Sequence, residues 1–231
     1  MDSRCVPIVA VLIPAFNCEA AVANVVRGAR AHVGRVLVVD DGSADRTAAA
    51  AEDAGAEVLR QASNCGKGAA LRLGMGALAA GGATHALTMD GDGQHLASDI
   101  PALLRACEAE PGALVIGARH VDPGAVAPIR LFGNRFANRW VEIACAQRLP
   151  DTQSGLRVYP IREVLALGCK ADRFAFETEI LIRAARAGVP IRSVPVRVYN
   201  PPIHERVSHF RPVIDTIRII LVVLGLIFRV W

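Results

Sequence analysis

The run Val9-Ala10-Val11-Leu12-Ile13 places five apolar residues in succession with no polar alternation. A strand of that kind suits a sheet covered on both faces. Short β-branched runs recur along the first half of the chain, and Ala-rich stretches of helical length lie between them. That alternation is the pattern of a parallel sheet wound with helices. Strands are expected at 8–13, 36–39, 57–60, 84–89 and 114–117, with helices at 19–31, 44–54, 67–80 and 98–110. From about Asp122 the rhythm changes. A Gly- and Pro-rich loop at 122–128 precedes an expected helix at 129–146, a turn at 149–152, a strand at 156–159, a helix at 176–187 and a strand at 191–198. This half is expected to complete the sheet and build the second wall of a cleft.

A chain of 231 residues, 52% hydrophobic and 21% charged, fits one generous domain followed by a tail. The expected division is a domain at 1–209 and an apolar helix at 210–231. From Ile219 to Phe228 every residue is apolar or Gly, bracketed by Arg218 and Arg229. That is about half of the roughly 20 residues a spanning helix needs. The segment reads as a helix lying on a membrane or buried against a partner, a membrane protein among the candidates; packing against the chain's own core is the other reading. The net charge of +4 comes without Lys/Arg blocks or interleaved aromatics, so no nucleic-acid partner is expected. It suits a phosphate-bearing substrate or an anionic membrane face. Six cysteines with no CxxC pair indicate neither a zinc site nor a disulfide framework and favour a reducing cytosol. Residues 1–5 lead into a strand without the apolar region of a signal peptide. The expected location is cytoplasmic, peripheral at the cytoplasmic face of a membrane.

In open parallel sheets, ligands sit beyond the carboxyl ends of the strands. Polar residues accumulate at those ends here. The first strand runs into Pro14-Ala15-Phe16-Asn17 with Glu19 behind it, and the second into Asp40-Asp41-Gly42-Ser43 with Asp45 and Thr47. The fourth runs into Asp90-Gly91-Asp92-Gly93-Gln94-His95. Carboxylates at i and i+2 on a Gly-rich turn can grip one Mg²⁺ or Mn²⁺, which take hard oxygen ligands and commonly join protein carboxylates to substrate phosphates. Asp-Gly pairs also build ordinary turns. The first strand-to-helix turn is not GxGxxG, and no GxxxxGK[ST] occurs. Asp40 and Asp41 are read as partners for a ribose or a base N–H, and Ser43 as a helix cap. In Asn64-Cys65-Gly66-Lys67-Gly68, backbone N–H groups and the Lys67 ammonium could face a diphosphate; a turn carrying a solvated lysine is the alternative.

Taken in order, VLIPAFN with Glu19 behind it, VVDDGSADRT, NCGKGAALRLG and MDGDGQH resemble the catalytic domain of family 2 glycosyltransferases of GT-A type. The polyprenyl- or dolichyl-phosphate mannosyl- and glucosyltransferase branch is the nearest likeness. It continues through Gly117-Ala118-Arg119, Asp151-Thr152-Gln153-Ser154-Gly155-Leu156-Arg157 and Phe176-Glu177-Thr178-Glu179. The resemblance implies a GT-A, Rossmann-like α/β fold and metal-dependent, inverting transfer of a hexose from a GDP- or UDP-sugar to a lipid phosphate. Asp90 and Asp92 match the DxD metal pair, and Gln94 the amide oxygen that completes the metal site. Pro14, Asn17, Glu19, Asp40 and Asp41 match positions lining the nucleotide pocket, although Cys18 intervenes where relatives often have Glu directly after Asn. Arg119 and Ser154 match positions near the acceptor phosphate.

An ionised lipid phosphate needs no strong base, and Arg119, with Arg130 or Arg157, would hold it through bidentate contacts. A hydroxyl acceptor on a glycan or glycolipid would need a carboxylate base, for which Asp151 is the candidate. His95 is expected behind the metal ligands. Of Glu177 and Glu179, one is expected to favour the helix start and the other to face the site. The proline-rich stretch 200–212 reads as a flap over the acceptor or as a linker. Two other functions compete. A nucleotidyltransferase would want its Gly-Lys element in the first strand-to-helix loop rather than at the third helix, and a noncatalytic nucleotide-sugar-binding protein would not need Asp90 and Asp92 intact.

Overall fold

The computed structural model describes residues 6–119, 139–199 and 212–228. Seven strands form one sheet in the order β3-β2-β1-β4-β6-β5-β7, comprising β1 (Val9–Ala15), β2 (Val36–Asp40), β3 (Glu57–Arg60), β4 (His85–Thr88), β5 (Leu114–Arg119), β6 (Arg157–Pro160) and β7 (Ile191–Val196). Six run in one direction. β6 alone is antiparallel, inserted between β4 and β5. The expected α/β architecture with a mostly parallel sheet is therefore present.

Period-two alternation inside the apolar runs explains how both faces are covered. Ala10, Leu12, Leu37 and Val39 enter the core cluster under α3 (Lys67–Ala80), while Val11, Ile13, Val36 and Val38 enter the opposite one. The latter also takes Val22, Val25 and Val26 of α1 (Glu19–Arg30), Ala51 of α2 (Thr47–Asp53), and Ile100, Leu103 and Cys107 of α4 (Ile100–Ala109). Helices α1 and α2 lie on one face, and α3 crosses to the other before the chain enters β4. The strand order reverses between β1 and β4, and that reversal opens a crevice at the carboxyl edge. The acidic ends of β1, β2 and β4 meet there.

Three local differences from the sequence reading have physical causes. The second helix begins at Thr47 rather than Ala44, because residues 44–47 are tied to polar side chains: Ala44 N–H donates to Asn17 Oδ1, Arg46 N–H to Glu19 Oε2 and Thr47 N–H to Asp45 Oδ1. Ser43 accordingly does not cap that helix, and its hydroxyl accepts the Asn17 N–H at 2.9 Å. A short helix, Ile161–Ala166, follows β6 directly and had no counterpart in the expected pattern. Regular pairing in β7 stops at Val196, with Val198 bridging to His95. Residues 139–145 are helical, and the chain leaves the helix at Ala146, with φ 52°; residues 129–138 of the expected 129–146 helix lie outside the described residues, as do the 122–128 loop and 200–211 of the proline-rich stretch.

The last helix, Pro212–Ile227, docks on the helix Ala175–Arg186. Ile219, Val223 and Leu226, spaced along one helical stripe, are buried in the α3-side core. Arg186 Nη1 donates to Leu226 O at 2.8 Å. Packing on the chain's own core accounts for this stripe, whereas Leu221 and Phe228 remain 57% and 70% exposed. No helix among the described residues is long and apolar enough to cross a membrane. The docking predicts a contrast: Leu226→Ala should destabilise the protein by about 2–5 kcal/mol in chemical denaturation, and Leu221→Ala should stay within about 0.5 kcal/mol. Equal losses at the two positions would contradict the docked face.

Candidate active site

The turn after β1 is built around Asn17, which sits at φ 45°, a region that Asn tolerates better than most residues. Its amide and side chain bond Ser43 and Ala44, joining the ends of β1 and β2. Gly42, at φ 73°, lies so close to the loop before α3 that a Cβ would fall 2.6 Å from the Ser63 carbonyl carbon. That contact brings the 63–66 segment against Asp41. Asp41 Oδ1 accepts from Cys65 N–H and Gln61 Nε2, both at 2.7 Å, and Oδ2 from Gly66 N–H at 2.8 Å. Burial raises the Asp41 pKa although these bonds and Arg173 pull it down. Both its oxygens thus organise the start of α3. Asp40 is fully buried. Its Oδ1 accepts from Ser43 N–H, while Oδ2 lies 3.2 Å from Arg60 Nε without forming a hydrogen bond. Pro14 pairs in register with Val39, and the exposed Glu19 holds the Arg46 amide.

Asp90 stands two residues beyond the end of β4, and Lys67 and His95 converge on it. Lys67 Nζ, from the first residue of α3, lies 2.6 Å from Asp90 Oδ1 and 2.9 Å from Glu177 Oε2. His95 Nε2 is 3.5 Å from Asp90 Oδ2. The Phe174 ring lies 5.5 Å from the same ammonium. Burial works against the Lys67 charge, but Asp90 and Glu177 outweigh it and raise its pKa. Burial likewise opposes the Asp90 charge, and the attraction of Lys67 and the bond to His95 reverse the balance, holding its carboxyl well below the usual range. Asp92 goes the other way. Burial and then repulsion from Asp90 raise its pKa, against the pull of the Gln94 N–H, His95 and Lys67. Two carboxylates two residues apart, one of them short of compensating positive charge, form a donor set suited to a hard divalent cation. Among the described residues no group of three or more His, Cys, Asp and Glu side chains is arranged to hold an ion by itself. The further ligands would have to come from elsewhere, such as the Gln94 amide and a substrate phosphate.

Beside this pair, Arg119 at the end of β5 is held by Asp151. Arg119 Nε and Nη2 donate to Asp151 Oδ2 and Oδ1 at 2.6 and 3.0 Å, and the Arg119 and Gln153 amides donate to the same carboxylate. Burial would raise the Asp151 pKa, but Arg119 prevails and lowers it. No oxygen of Asp151 is idle, so the carboxylate read from the sequence as a base instead fixes a guanidinium. Ser154 is fully buried, its hydroxyl accepting the Leu156 N–H. Arg157 is also fully buried and donates to the carbonyls of Ser154, Thr152 and Glu177. These bonds give it a scaffolding role. Arg130 lies outside the described residues.

Of the two glutamates expected at the start of the helix Ala175–Arg186, Glu177 is the one that faces the site, through Lys67. Glu179 instead takes the Lys170 and Ala171 amides and Arg183 Nε. Gly155 lies against Asp90, with a Cβ there falling 2.7 Å from Asp90 Cγ. Gly155 was not singled out in the sequence; the readable signal was a glycine two residues before β6, where the chain must pass Asp90.

Residues 10–161 match the family model described as Glycosyl transferase family 2. Glycosyltransferase AglJ of Haloferax volcanii is 35% identical over 197 residues, covering 84% of this chain and 64% of AglJ. Polyprenol monophosphomannose synthase of Mycolicibacterium smegmatis is 31% identical over 174 residues, covering 70% of this chain and 65% of the synthase. The alignments thus span just under two thirds of the length of both relatives. Among solved structures, glucosyl-3-phosphoglycerate synthase from Mycobacterium tuberculosis, in complex with Mn²⁺, uridine-diphosphate and glucosyl-3-phosphoglycerate, superposes with a TM-score of 0.73 at 21% identity, over 95% of this chain and 80% of the synthase. At that identity the likeness concerns the fold.

The raised Asp92 pKa makes a prediction whose sign is fixed. A carboxyl harder to ionise in the folded chain than in the unfolded one costs stability once it is charged, so its contribution is most favourable at low pH and declines as pH climbs through the raised value. Asp92→Asn should therefore melt above the parent at pH 7 in EDTA, with the difference closing as pH falls below about 4, the ordinary Asp range. A lower melting temperature for the variant at pH 7 would contradict this electrostatic reading.

Proposed function

Since the chain belongs to glycosyl transferase family 2, we propose that this glycosyltransferase moves a hexose from a GDP- or UDP-sugar to a polyprenyl phosphate at a membrane surface. The observation that carries the choice of acceptor is the Arg119–Asp151 pair. It presents a guanidinium held in place within the electrostatic reach of Asp90 and leaves Asp151 unable to serve as an idle base, which suits an acceptor that is already ionised. The name of the M. smegmatis relative supports the same acceptor class. We read residues 1–209 as the catalytic domain and 210–231 as an apolar tail whose described helix, Pro212–Ile227, docks on it, with the protein acting from the cytoplasmic side.

Pro14, Asn17 and Glu19 stand on the donor side of the crevice, and the fully buried Asp40 supports that wall from behind through its bond to the Ser43 amide. Asp41 acts indirectly, by shaping the loop before α3. Asp90, Asp92 and Gln94 would hold Mg²⁺ or Mn²⁺, which when bound neutralises charge on the departing diphosphate. Arg119 orients the acceptor phosphate so that one of its oxygens faces the anomeric carbon. That oxygen forms its bond as the bond from the anomeric carbon to the diphosphate breaks, and the single displacement inverts the anomeric configuration. The oxygen enters without a proton, so no group in the site has to remove one.

The test incubates the purified protein with radiolabelled GDP- and UDP-hexoses, Mg²⁺ or Mn²⁺, and polyprenyl phosphate, following label into the organic phase. Transfer should require the metal, and Asp92→Ala should lower it by about 100-fold or more, the scale of losing a main electrostatic stabiliser of the leaving charge. Arg119→Lys should weaken use of the phosphate acceptor by about tenfold, because a point charge replaces a planar fork. Label appearing only in neutral glycolipid or glycan would show a hydroxyl acceptor. Nucleotide binding with no transfer from any donor would favour the noncatalytic reading.

A further inference from the structure

Lys67 is an unusual choice for its position. It is the first residue of α3, where the helix dipole favours anions and disfavours cations. Its ammonium nevertheless sits between two carboxylates from different elements, Asp90 after β4 and Glu177 of the helix Ala175–Arg186. Phe174 flanks it on the side of that helix. The two contacts are not equivalent. Asp90 also faces His95, while Glu177 Oε1 is buried and has no hydrogen-bond partner among the described residues. An ammonium with three donors can therefore gain a second oxygen on Glu177 if it gives up Asp90.

The local charge points the same way. Asp90 and Glu177 both contact this single ammonium, and Asp92 stands within reach of its field, so the carboxylates outnumber the ammonium they share. Within this crevice Lys67 and a dication would compete for the same Asp90 oxygen, since two cations on one carboxylate repel each other.

We propose that Lys67 is the built-in counter-cation of Asp90, a positioning residue that holds this carboxylate in place and releases it to a divalent cation by moving fully onto Glu177. The proposal rests on the reading of Asp90 and Asp92 as metal ligands. It gives Lys67 a different role from a direct diphosphate contact: the lysine sets how tightly and when the site takes metal, and Glu177 is its second seat.

The test measures Mn²⁺ binding to the purified full chain without sugar nucleotide, by electron paramagnetic resonance of free Mn²⁺ and by titration calorimetry, alongside thermal melts with and without Mn²⁺. Lys67→Met removes the competitor, so Mn²⁺ should bind on the order of tenfold tighter and raise the variant's melting temperature more than the parent's. Glu177→Gln removes the second seat, so binding should weaken by roughly threefold to tenfold. Lys67→Arg keeps the charge and should stay near the parent. Unchanged or weaker binding in Lys67→Met, or unchanged or tighter binding in Glu177→Gln, overturns the proposal. Should Lys67→Met fail to fold, the sign in Glu177→Gln decides. A parent that binds neither Mn²⁺ nor Mg²⁺ would bring down the metal reading together with the lysine's role; a parent that binds while both variants match it would bring down the lysine's role alone.

Discussion

The buried guanidinium of Arg157 ties the working parts together. It stands at the start of β6, opposite Thr88 in register, and donates to the carbonyls of Thr152, Ser154 and Glu177. The loop it grips contains Asp151, which fixes Arg119, and Gly155, which lies against Asp90. The helix it grips presents Glu177 to Lys67. A buried charge with several backbone acceptors is costly to leave uncompensated, so the loop and the helix are obliged to meet where the guanidinium sits. The antiparallel strand inside an otherwise parallel sheet carries this residue to the edge of the crevice.

From that point the crevice can be followed strand by strand. Thr88 Oγ1 donates to Gly155 O at 2.8 Å, locking the end of β4 to the loop before β6. Asp90 then emerges beside a backbone with no side chain to displace it. On the other flank, Asp41 fastens the Cys65 and Gly66 amides, which determines where α3 begins and hence where the Lys67 ammonium arrives. Two scaffolding interactions, one under each wall, thus place the oppositely charged groups within 3 Å of each other.

Much of this was legible in the sequence. The unbroken run at 9–13 announced a strand covered on both faces, and the acidic residues after the first, second and fourth strands announced a common edge. The antiparallel insertion of β6 was not legible, because Arg157-Val158-Tyr159-Pro160 carries no mark of its direction. Ser43 illustrates a different failure. Its composition suits a helix cap, but a long-range bond to the Asn17 amide outcompetes the local one, and the helix starts four residues later. The terminal apolar run was ambiguous for a third reason: the same residues can face a membrane or a core, and only the position of the helix Ala175–Arg186 shows which of them are buried.

Residue type alone also failed to separate carboxylates that build the site from those available to act in it. Asp41, Asp151 and Glu179 are as acidic and as well placed in the motifs as Asp90 and Asp92. In the folded chain, each has both oxygens taken by backbone amides or side-chain donors. A carboxylate satisfied in this way is rigid and contributes geometry; it has little left to offer a substrate. Asp92, with one oxygen on the Gln94 amide and its charge opposed by Asp90, is in the reverse condition. Asp90 lies between the two, ionised but held by a movable ammonium. The chemistry concentrates where compensation is incomplete, and the saturated carboxylates around it keep that imbalance in one place.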